Sequence, residues 1–214
     1  MNTEIFVKAK VRAAEFKVRN VLVATNTGKS MEAAQEIMGT GFKFLAVGNP
    51  SSSRDKGWVL HCGISQETKE RLEGRGITVI QQELSVFQHG PDRQPEHASL
   101  HNANAAYIRR FRKTFGQNET VPNNVCKVIR DILGEFFGDG PCVCIEITLM
   151  AADSGKLPVE EDCMAIATAG GYSHAAMVIH PVRTPDLFNT HFRVKDLILV
   201  PSEDDIWFND GPIP

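Results

Sequence analysis

Val21-Leu22-Val23-Ala24-Thr25-Asn26-Thr27-Gly28-Lys29-Ser30 reads as a short apolar strand running into hydroxyls, one glycine and a lysine, with a helical pattern from Met31 to Met38 directly after it. That order sets backbone N–H groups, side-chain hydroxyls and a cation at a helix N-terminus, where the macrodipole favours an anion. Gly28 allows a tight turn and close approach of a phosphate, Thr25, Thr27 and Ser30 carry donor hydroxyls, and Lys29 adds a point charge. The expectation is a phosphate-binding turn built by Thr25, Asn26, Thr27, Gly28, Lys29 and Ser30. A simple helix cap made by Thr-x-Thr-Gly is the alternative reading. A nucleoside-triphosphate P-loop is excluded, because G-x-x-x-x-G-K-[ST] requires glycine where Val23 stands. Without that glycine the wide anion nest is missing, and the turn suits one terminal phosphate.

Outward from this turn the pattern alternates between helix and strand. Residues 3–17 carry Phe6, Ala9, Ala13 and Phe16 at helical spacing. Strands follow at 20–25 and 42–47, joined by a helix at 29–38, which makes a βαβ unit with parallel strands and a right-handed crossover. Ser65 is placed to cap a helix ending near Gly74, and Ile77-Thr78-Val79-Ile80 is a third strand. Later, 125–137 is helical and Gly138-Asp139-Gly140-Pro141 reads as its stop. Cys142 to Thr148 reads as a strand, Val159 to Ala167 as helix-like, and strands at 175–180 and 194–200 close the pattern. The fold expected is a three-layer α/β/α domain with a largely parallel sheet, and late strands joined by irregular loops are free to run antiparallel at an edge.

The chain has 214 residues, of which 42% are hydrophobic, enough for one sizeable core and one domain spanning 1–214. A polar excursion at about 88–123 lacks an apolar pattern of its own and is read as part of that domain. Its His89, His97 and His101 are spaced by eight and four residues, which matters only on a helix, and Pro91 and Pro95 oppose one. Five cysteines without a C-x-x-C pair read as reduced core thiols, so no metal site is expected. The net charge of −3 argues against a nucleic-acid partner, the basic run Arg109 to Lys113 included. Apolar runs are strand-length, which argues against a membrane partner. Met-Asn-Thr-Glu-Ile-Phe-Val-Lys has no signal-peptide pattern, so a cytoplasmic protein is expected. Ile206, Trp207 and Phe208 suggest an apolar contact in a homo-oligomer.

In open α/β sheets, ligands sit beyond the carboxyl ends of strands, near a switch in strand order. If 142–148 is a strand, the segment 148–156 shares that placement with 25–30. Thr148, Met150, Ala151, Asp153 and Gly155 are its candidate contacts: small residues permit close approach, and the carboxylate accepts from a ring N–H or sugar hydroxyl. Asp153 capping a turn with Ser154-Gly155 is the structural alternative.

These residues carry a family resemblance. Thr25 to Ser30 between strand and helix resembles the effector-phosphate turn of the pyruvate kinase C-terminal α/β domain. Cys144-Ile145-Glu146-Ile147-Thr148-Leu149-Met150-Ala151-Ala152-Asp153-Ser154-Gly155, then Gly170-Gly171 and Val178-Ile179-His180-Pro181, resemble free-standing archaeal and bacterial proteins related to that domain. The resemblance implies a pyruvate kinase C-terminal-like fold without the catalytic barrel, and hence no pyruvate kinase activity. It also implies flavin mononucleotide (FMN) as cofactor, its phosphate held at 25–30 and its ribityl chain and ring bordered by 148–155. Lys29 matches the pyruvate kinase pattern more closely than that of the free-standing relatives.

Three functions remain open at the level of sequence. One is a protein binding FMN; another is a regulatory module binding a sugar phosphate. The third is an enzyme acting on a phosphorylated metabolite with Asp153, Glu146 or His180 as acid or base. No nucleophile–base pair can be read from spacing, so no catalytic residue is assigned. The common element is a phosphorylated small molecule.

Overall fold

A computed structural model describes residues 3–50, 63–82, 132–168, 173–187 and 191–201. The excursion at 88–123, residues 51–62, Gly170-Gly171 and the late Ile206, Trp207 and Phe208 lie outside the described residues.

The first half of the chain follows its local signals. Helix α1 (Glu4–Glu15) buries Ile5, Phe6, Ala9 and Ala13 along one stripe. Strand β1 (Asn20–Ala24), helix α2 (Lys29–Met38) and strand β2 (Lys43–Val47) form the expected βαβ unit, with Leu22 opposite Leu45 in a parallel ladder. Helix α3 (Gln66–Glu73) starts at Ser65, whose Oγ accepts from the Thr68 N–H at 3.1 Å. Strand β3 (Thr78–Ile80) then pairs parallel to β2.

The second half exchanges two assignments. Residues 142–148, expected as a strand, lie inside helix α4 (Asp139–Asp153). Residues 159–167, expected as helix-like, contain strand β4 (Cys163–Ala167). Residues 142–148 and the strand Cys163–Ala167 are buried nearly throughout, so neither shows the polar face that separates a period of 3.6 from a period of 2. The helical residues 132–137 end at Gly138, as the Gly138-Asp139-Gly140-Pro141 stop implies, and a new helix starts at once: Pro141 sits in the first turn of α4, where its missing N–H costs nothing. Strands β5 (Ser173–His180) and β6 (Arg193–Pro201) complete the sheet.

The six strands are ordered β3-β2-β1-β4-β5-β6. The ladders from β3 to β4 are parallel, and β4–β5 and β5–β6 are antiparallel. Alternate side chains divide between two cores. Leu22, Leu45, Cys163 and Ala165 face α4, whereas Val21, Val23, Met164 and Ile166 face α1, α2 and α3. Right-handed crossovers explain the division: α2 and α3 cover one face while strands are added towards β3, and the return to β4 puts α4 on the other. The result is a mixed α/β fold with a mostly parallel sheet and helices on both faces. Among the described residues no helix is long and apolar enough to cross a membrane.

Candidate functional site

The strand order fixes where ligands meet a sheet of this kind. From β1 the chain builds outward to β2 and β3, then returns to place β4 on the other side of β1. The crevice between the carboxyl ends of β1 and β4 is therefore the topological switch point. The turn at 25–30 emerges from β1 at this crevice. Its partner there is Thr168, the residue after β4, whose Oγ1 lies 2.7 Å from Ser30 Oγ.

Each residue of the turn has a defined task. The Thr25 N–H extends the β1–β2 ladder to the Val47 carbonyl at 2.9 Å, and Thr25 Oγ1 accepts from the Gly28 N–H at 3.0 Å. Asn26 Oδ1 accepts from the Asn49 N–H at 2.9 Å, which ties the turn to the loop after β2. Gly28 is the N-cap of α2 with φ +84°, a left-handed conformation that favours glycine. The Glu32 N–H closes the first intrahelical bond onto the Gly28 carbonyl at 2.9 Å. The N–H groups of Lys29, Ser30 and Met31 precede that bond and have no intrahelical acceptor. Lys29 is exposed beside them.

One expectation changes its physical basis. The space next to the Gly28 α-carbon is occupied by α3: an added Cβ would lie 2.7 Å from Arg71 Nη2 and 3.2 Å from Thr68 Cγ2. The glycine is demanded by its backbone angle and by this packing. Arg71 Nη2 donates to the Thr27 carbonyl at 2.7 Å, and Arg71 Nε lies 3.2 Å from Glu32. Arg75 reaches the same carboxylate at 3.6 Å. Two guanidiniums share one carboxylate here, so the rim of the turn stays cationic even before Lys29 is included.

The second predicted segment lies elsewhere. Thr148, Met150 and Ala151 are buried on α4, not in a loop beyond a strand, and Gly155 follows the helix in the left-handed region at φ +71°. Thr148 Oγ1 donates to the Cys144 carbonyl at 2.8 Å, and the residue sits beside Cys163 at the start of β4. Ser30 meets the residue past the other end of that strand, about 16 Å away at the rise of a β-strand. Asp153 is fully engaged with Thr184: Oδ1 accepts the Thr184 N–H at 2.8 Å and Oδ2 accepts its hydroxyl at 2.6 Å. Thr184 opens a 3-10 turn, Thr184–Asp186, after β5. Asp153 therefore braces the turn at Thr184 rather than one with Ser154-Gly155.

His180, at the end of β5, has its Nδ1 2.8 Å from Asp162 Oδ1, while Lys195 Nζ donates to Asp162 Oδ2 at 2.6 Å. Burial pushes the Asp162 carboxyl up, but the hydrogen bonds from Lys195 and His180 outweigh it and hold the group below its ordinary value. Asp162 precedes β4, so this cluster is separated from the switch-point crevice by that strand. Cys142, Cys144 and Cys163 are buried and form no disulfide among the described residues. Burial pushes the Cys163 thiol up to about 12 and raises that of Cys144, which keeps both in the unreactive protonated form. Among the described residues no group of His, Cys, Asp and Glu is arranged to hold a metal ion; His61, Cys62 and the histidines of the excursion lie outside them.

Three residues join the turn that local pattern did not single out: Asn49, Arg71 and Thr168. Only a strand-to-loop boundary at Ala167-Thr168 could have signalled the last, and that boundary was hidden by the helix-like reading of 159–167. No protein-family model matches the chain.

Proposed function

We propose that this protein binds a phosphorylated small molecule at the carboxyl ends of β1 and β4, the phosphate resting on the first turn of α2. The observation that carries the reading is the Ser30–Thr168 contact of 2.7 Å, which sets the glycine-capped turn in the switch-point crevice. Amides of the first helical turn, the hydroxyls of Thr25, Thr27 and Ser30, and the Lys29 charge form a donor set sized for one phosphate. The ligand put first is FMN, through the resemblance to free-standing relatives of the pyruvate kinase C-terminal domain, and the same resemblance supplies the finer fold assignment. The phosphate end of FMN has suitable residues. Thr148, Met150 and Ala151 are core residues of α4, so the ring must be bordered by others.

A sugar phosphate is the second reading, and Arg71 favours it. With Lys29 it makes the rim of the turn more cationic than one phosphomonoester of a flavin requires. Titration with FMN, with riboflavin as the phosphate-free control, separates the two by flavin fluorescence. Binding of FMN alone, weakened at least tenfold in Lys29→Ala/Ser30→Ala, is the expected result. Equal binding of FMN and riboflavin would defeat the phosphate turn. Failure of both, with a sugar bisphosphate raising Tm, would transfer the site to the second reading, since only a ligand that favours the native state stabilises it.

A further inference from the structure

We draw no further inference here: the strongest candidate, the exposed apolar strip of Val194, Leu197 and Leu199 on the edge strand β6, is a sheet face for which nothing in the structure shows what covers it.

Discussion

Replacing Gly28 by alanine tests whether the turn is shaped by its own backbone and by α3, before any ligand is considered. At φ +84° an L-residue costs about 1–2 kcal/mol relative to glycine. The new Cβ would also lie 2.7 Å from Arg71 Nη2, so the guanidinium must swing away. That movement forfeits its hydrogen bond to the Thr27 carbonyl, worth about 0.5–1.5 kcal/mol. The sum is roughly 1.5–3.5 kcal/mol, and at about 2–4 °C per kcal/mol for a chain of this size Tm should fall by roughly 3–14 °C. Arg71→Ala removes the obstructing atom, so in that background Gly28→Ala should cost the backbone term alone. A double-mutant cycle read by urea denaturation should therefore return a coupling of about 1 kcal/mol. Gly28→Ala within about 0.5 kcal/mol of the parent would refute both halves of the reasoning. Additive single effects would refute the Arg71 contact while leaving the backbone argument standing. The same logic makes Gly28 a poor probe of ligand binding, which is better tested at Lys29 and Ser30.

Lys17 ends α1 in the left-handed region at φ 56°, with the Val18 N–H returning to the Ala13 carbonyl at 2.8 Å. Lys17→Gly should stabilise the protein by about 1 kcal/mol, read as a higher urea midpoint; an unchanged or lower midpoint would contradict the strain. Asp153→Ala strips both acceptors from the buried Thr184 and should cost about 1–3 kcal/mol. Its FMN titration, measured on folded protein, should match the parent; loss of binding would return Asp153 to the ligand site. Asp162 has a depressed carboxyl pKa, so its contribution is full above the unfolded value of about 3.9 and is lost as pH falls through the folded value. Between those limits the parent should lose stability on acidification more steeply than Asp162→Asn, and parallel curves of urea midpoint against pH would exclude the effect.

The sequence alone determined the β1–α2–β2–α3–β3 half, because each element there carries its own signal. Alpha helix α1 has one apolar stripe, Ser65 caps α3, and Gly28 opens α2. The turn at 25–30 was legible for the same reason: strand, hydroxyls, glycine and helix lie in consecutive residues. Tertiary structure decided α4 and β4. Cys142 to Thr148 is rich in Cys, Val and Ile and reads as a buried strand, but the apolar run continues through Ala152, and a helix buried on nearly every side needs no polar face. Cys-Met-Ala-Ile-Ala has the residues of a helix, yet it fills the central position between β1 and β5, where ladder pairing on both sides outweighs local propensity. That exchange moved the second predicted segment out of a strand-end loop. Arg71 reaches the turn from 44 positions beyond Thr27, and Thr168 from 138 beyond Ser30. Separations of that kind are closed by strand order, which no local pattern encodes.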